Sequence, residues 1–234
     1  MHAFTISVLC EMYTDGFDVV PTIVQAIHHT DPPTQYAVLQ EVTTNSHAPR
    51  QAIREAVRDC LRTNDPDVFE LAADWLAQTY PNPDDIPALV DGTRRHPGHL
   101  RLLTRYSAAG ADACADLLND PDLAFGAARV LRAIDRSELN LPKVLQAAKL
   151  STNPAVRAEC VTIFAIWSKP DPVARLFLAD ILTTDPSENV RLYALSNLSS
   201  FCNSKIASYL PAPQVVPSLI RDLSAESPSM RLLC

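Results

Sequence analysis

The densest group of reactive side chains in this sequence is cationic. Arg94, Arg95, His96, His99, Arg101 and Arg105 fall within twelve residues. On a helix-turn-helix corner, such guanidiniums offer forked donors to a phosphate or an acidic peptide. The same segment also reads as a solvated loop balanced by Asp84, Asp85 and Asp91. No nucleophile accompanies it. The serines lack a Gly-x-Ser-x-Gly elbow, and no Gly-rich phosphate loop is present. His28 and His29 are adjacent, so they cannot share one helix face. They suit a helix C-terminus, where a cation meets the negative end of the macrodipole. Cys10, Cys60, Cys114, Cys160, Cys202 and Cys234 contain no Cys-x-x-Cys pair, so zinc and thioredoxin-like chemistry lack their ligand pattern. Free cysteine packs as a small core residue, and reduced, buried thiols fit a cytoplasmic protein. The expectation is a non-enzyme with no catalytic residue, cofactor or metal.

Charge narrows the partners. The chain has 234 residues with Lys+Arg 20 against Asp+Glu 27, a net charge of −7 and a pI near 5.3. That balance argues against general affinity for nucleic acid or anionic lipid. Apolar residues make up 47% of the sequence but alternate with polar ones at helical period. No run reaches the length of about 18 apolar residues that a membrane span needs. The first ten residues are mildly apolar without a basic leader, so about 1–14 is expected to be a capping helix rather than a signal peptide. Only 5 Gly are present, few for a protein with many strand turns, and the 19 Pro sit mainly between helices or near their starts.

The elements that must position these residues are repeated helical hairpins. In 171–201, one helix runs through Val173, Leu176, Phe177 and Ile181, and a second through Val190, Ala194, Leu198 and Phe201, with Asp185-Pro186-Ser187 between them. Shifted back by 34 residues, the second set falls on Val156, Cys160, Phe164 and Trp167. A further 33 gives Leu123, Ala127, Leu131 and Ile134, and another 55 gives Val68, Ala72, Leu76 and Thr79. Steps of four, four and three place each set on one helix face. Asp31-Pro32, Asp65-Pro66, Asp120-Pro121, Asn153-Pro154, Asp185-Pro186 and Ser227-Pro228 recur between helices. Asp, Asn or Ser suits an N-cap, and Pro suits the first turn. A period in the thirties with two helices per unit marks a solenoid.

The spacing predicts a first helix over 4–13, then hairpins over 17–29 with 34–46, 49–62 with 66–79 and 84–95 with 97–108. Further hairpins follow over 111–118 with 121–134, 138–150 with 154–167 and 173–183 with 188–201. A last one begins at 213–223 and stops in 230–234. Glu55, Arg58, Asp59 and Arg62 form an expected solvated stripe, and Gly98 and Gly110 weaken the second helix of the third hairpin. Trp75 and Trp167 occupy inward positions. The incomplete final repeat has two readings: the chain is cut from a longer repeat protein, or its exposed apolar end is an interface for self-association or for a partner.

Asn153-Pro-Ala-Val-Arg-Ala-Glu-Cys160, Asn189-Val-Arg-Leu-Tyr-Ala194 and Ser227-Pro-Ser-Met-Arg-Leu-Leu-Cys234 resemble the opening of the second helix in HEAT-type repeats. Prolines in 19–24, 86–89, 141–144 and 215–220 resemble those of the family's first helix. The resemblance implies an all-α, right-handed α/α superhelix: a single α-solenoid over 1–234 with about six and a half hairpins. It implies that second helices line a concave side, and that Arg157, Arg191 and Arg231 bond a neighbouring turn as scaffold, with Asp185 and Asn153 as receivers. Tyr193 and Asn197 resemble the aromatic-plus-Asn pair that lines the peptide groove of armadillo proteins. Alternatively, Asn197, in the position of Val130 and Ile163, is satisfied at a unit boundary or by solvent. The function these readings imply is non-catalytic protein or peptide binding through Arg94, Arg95, Arg101, Arg105, Arg129, Arg132, Glu159, Tyr193 and Asn197. The competing reading is a HEAT-like nucleic-acid binder or DNA glycosylase acting through 94–105, against which the chain's acidity counts.

Overall fold

Helix caps and prolines divide the molecule as the punctuation predicts. The computed structural model describes residues 3–29, 31–79, 81–167 and 172–202. Among them all regular structure is helical, with no strand. The Asp31 carboxylate accepts from the Thr34 N–H, Asp65 from Asp67 and Val68, Asp120 from Asp122 and Leu123, and Asp185 from Ser187. The Asn153 amide oxygen accepts from Ala155. Each bond satisfies a backbone donor that a helix start leaves without a carbonyl, typically worth about 1 kcal/mol.

The chain divides into two units, Met1–Ala113 and Cys114–Cys234. The first contains α1 (Ala3–Thr14), α2 (Val20–Ile27), α3 (Pro32–Thr44), α4 (Arg50–Asp59), α5 (Pro66–Thr79) and α6 (Ile86–Arg95). Short 3-10 turns extend α4 over Cys60–Arg62 and precede α6 over Pro83–Asp85, and a longer 3-10 segment covers Pro97–Tyr106. α3 packs between α1 and α5, and α4 packs on both α2 and α5. α7 (Ser107–Asp116) straddles the boundary. The second unit holds α8 (Ala124–Ala133), α9 (Leu141–Leu150), α10 (Pro154–Trp167), α11 (Pro172–Thr184) and α12 (Glu188–Cys202). There α10 is central, packed against α8, α9, α11 and α12.

The repeated inward positions form the core. Val68, Ala72, Leu76, Leu123, Ala127, Leu131, Val156, Cys160, Val190 and Ala194 are all buried. Fully burying an aliphatic side chain of this size contributes about 1.5–3 kcal/mol, which outweighs any single cap. Trp75 is buried, whereas Trp167 is only half-buried. Cys10, Cys60, Cys114 and Cys160 are free and buried. Burial pushes the thiols of Cys60, Cys114 and Cys160 up to about 12. The expected last repeat and the side chain of Arg231 lie outside the described residues.

Several expectations are corrected. The stretch predicted as an α-helix over 97–108 is 3-10 as far as Tyr106, then breaks at Ser107, whose φ is 50°. A 3-10 run of this length is uncommon. Its end lies close against α7: a Cβ on Gly110 would lie 1.9 Å from the Leu103 carbonyl oxygen. α2 begins at Val20 rather than Phe17, because Gly16 turns the chain at φ 89° and leaves Phe17 exposed. Arg58, expected in a solvated stripe, turns inward to bond Asp85 at 2.7 Å. Asp85, expected to balance the basic segment, is fully buried and also bonds Arg54. One carboxylate thus holds two guanidiniums, both carried by α4.

Candidate functional site

Three helices of the second unit build an open groove of about 390 Å³. α8 contributes Phe125; α10 contributes Pro154, Ala155, Ala158 and Glu159; α12 contributes Asn189 and Tyr193. The inward stripe of α8 runs through Leu123, Ala127 and Leu131, so Phe125 falls off it and its ring is 43% exposed. Tyr193 falls off the stripe of α12 in the same way and is 45% exposed. An aromatic residue outside an otherwise regular core stripe was a signal available in the sequence, and it marks Phe125. The floor is small and apolar because Ala155 and Ala158 occupy the first turns of α10.

The groove carries little free negative charge. Glu159 is mostly buried and accepts from Arg132 Nη1 at 3.0 Å. Two of the expected binding residues therefore bond one another, bridging α8 and α10. Arg129 is exposed, and among the described residues no ion pair engages it. By helical spacing it lies between Phe125 and Arg132 on one face of α8. Asn197 is half-buried and donates from Nδ2 to the Tyr193 carbonyl at 2.8 Å, one turn back in its own helix. That contact places its amide on the helix backbone, and it does not line the groove.

Behind the groove, Arg157 makes the bond expected of scaffold. Its Nε and Nη2 donate to the two Asp185 oxygens at 2.8 and 2.9 Å, and its Nη1 donates to the Ser151 carbonyl at 2.8 Å. This hydrogen bonding to Asp185 raises the already high guanidinium pKa. Asn153, the other expected receiver, is occupied in capping α10. Arg191 donates to the Asp185 and Pro186 carbonyls of the turn before its own helix. The two arginines and Asp185 tie together α10, the α11–α12 turn and α12.

The basic segment of the first unit is largely engaged. Arg95 donates to Asp91 at 3.3 Å and to the Leu61 carbonyl at 3.0 Å. Arg101 lies 3.6 Å from Glu70. The His96 ring stacks on Phe69 at 4.6 Å, and His99 meets the same ring edge-on at 5.4 Å. Arg94 and Arg105 are exposed. The histidines thus serve packing between α5 and the 3-10 segment. A second groove of about 410 Å³ lies along α3 and α5, lined by Thr43, Arg50, Asp74, Trp75 and Gln78 among others. Among the described residues, no group of three His, Cys, Asp or Glu side chains is arranged to hold a metal ion, and no helix is long and apolar enough to cross a membrane.

No protein-family model matches the chain, and no curated protein matches it in sequence.

Proposed function

We propose that this protein is a HEAT-type α-solenoid, an α/α right-handed superhelix, that binds another protein through the exposed face of successive second helices and performs no catalysis. The observation that carries the reading is the side-by-side packing of α8, α10 and α12 beneath two exposed aromatic rings. A helical-repeat wall of this kind offers side chains from several hairpins at once, on a frame held rigid by Arg157 and Asp185. The buried free thiols support a cytoplasmic setting. The net charge of −7 and the engagement of Arg95, Arg101, His96 and His99 favour a protein partner over nucleic acid.

The test is affinity capture from a native lysate by the whole chain, beside its Phe125→Asp and Tyr193→Asp variants. Proteins retained by the wild type and lost with either variant support the reading. Equal recovery by all three counts against this face. Salt-titrated binding to DNA and RNA runs alongside. Tight, steeply salt-dependent binding abolished by substitution at Arg94 and Arg105 would replace the reading with a nucleic-acid one.

A further inference from the structure

The groove along α3 and α5 has two electrical poles. One lies where both helices end. Thr43 and Thr44 close α3, Gln78 and Thr79 close α5, and all four line the groove. A helix C-terminus presents carbonyls without intrahelical donors and the negative end of the macrodipole. Asp74, one turn back on α5, adds a carboxylate that no ion pair engages among the described residues. The Thr43 and Thr44 hydroxyls both donate to the Gln40 carbonyl at 2.9 Å. With their protons so placed, they have only lone pairs to offer. Each of these features suits a cation with N–H donors.

The other pole is Arg50, the first residue of α4, whose N-cap makes no side-chain bond. Arg50 is exposed, and among the described residues no ion pair engages it. A guanidinium at a helix N-terminus adds like charge to like, so this pole suits an anion. Arg50 and Asp74 line the same groove, yet no ion pair joins them. Trp75 lines it too while 5% exposed, and its buried indole N–H has no acceptor among the described residues. An acceptor entering the groove would remove the desolvation cost of that donor.

Size and charge together choose the ligand. The groove measures about 410 Å³, within the range of about 300–1,000 Å³ for small-molecule sites. A simple amine or a simple carboxylate answers one pole and leaves the other unmet. The interior of a peptide backbone carries neither charge. A small molecule with an ammonium and a carboxylate answers both, and Leu71 and Trp75 give its side chain an apolar wall.

We propose that this groove is a binding site for a small zwitterion of the α-amino-acid type, with its ammonium at Asp74 and the ends of α3 and α5 and its carboxylate at Arg50. The site lies in the first unit and stands beside the protein-binding reading, whose aromatic face belongs to the second.

The test is isothermal titration calorimetry of the full chain against the free amino acids, one at a time. Binding of at least one is expected. Its N-acetyl derivative, which lacks the cation, and its amide, which lacks the anion, should each bind about tenfold more weakly or worse. Asp74→Asn should erase the discrimination against the N-acetyl derivative and keep that against the amide. Arg50→Gln should do the reverse. Arg50 is exposed and Asp74 half-buried, so both variants are expected to keep the wild-type circular dichroism. No binding by any amino acid at millimolar concentration would overturn the proposal. So would derivatives that bind as tightly as the zwitterion, or variants that discriminate as the wild type does. None of these results bears on the Phe125 and Tyr193 variants, so the protein-binding reading stands or falls separately.

Discussion

Asp85 offers the sharpest test of how the first unit is held together. Its side chain has no solvent exposure, and that of Arg54 has 7%, whereas Arg58 keeps 27%. Asp85→Ala would leave the Arg54 guanidinium buried without a counter-charge. Breaking a buried pair in this way costs about 3–5 kcal/mol. The exposed Arg95–Asp91 pair, one helical turn apart with side chains 32% and 64% exposed, provides the contrast. Arg95 also bonds the Leu61 carbonyl, so Asp91→Ala isolates the ion pair better than removal of the arginine, and it should cost about 0.3–0.5 kcal/mol. Urea unfolding followed by far-UV circular dichroism would separate these values, with the Asp85→Ala midpoint falling at an unchanged slope. Adding Arg54→Met to Asp85→Leu should recover much of the loss, because the cost lies in the stranded charge rather than in the absence of a bond. Arg58 can turn its charge towards water. A loss below about 1 kcal/mol for Asp85→Ala, or a double variant no better than the single one, would refute the reasoning.

Ser107 sits at φ 50°, where a Cβ is strained, so Ser107→Gly should stabilise the fold by about 1 kcal/mol. Gly110→Ala should destabilise it by about 1–3 kcal/mol, because the new Cβ would collide with the Leu103 carbonyl; chemical denaturation of the pair gives both signs. Arg157→Lys should cost about 1.5–3 kcal/mol, since an ammonium cannot span both Asp185 oxygens and the Ser151 carbonyl at once, and the melting temperature would report it. In the unfolded chain the thiols ionise near pH 9.0, but in the fold Cys60, Cys114 and Cys160 hold their protons up to about 12. Their contribution is therefore complete below pH 9.0 and falls by about 1.4 kcal/mol per thiol per pH unit as pH rises towards 12. Cys160→Ala should flatten the alkaline decline in unfolding free energy by that amount, and an unchanged slope would contradict the burial.

Periodicity and caps make the helices readable from the sequence alone. The spans 66–79 and 154–167 match α5 and α10 end to end, because an Asx-Pro start and a strict inward stripe act within a few residues. The same local logic missed the 3-10 geometry over Pro97–Tyr106 and the break at Ser107 that follows it. It also missed Arg58, whose destination lies 27 residues away at Asp85. Of the groove, Tyr193 and Glu159 were among the binding residues the sequence suggested, while Phe125 and Asn189 became neighbours only when α8, α10 and α12 packed together.

What this sequence determines alone is its helical nature, its caps and the face each helix buries, because those follow from interactions within one or two turns. Pairing of charges is a different matter. That Arg157 grips Asp185 and that Arg132 bonds Glu159 depend on which helices become neighbours. Only the tertiary structure decides them, since each bond joins residues whose separation along the chain says nothing of their distance in space.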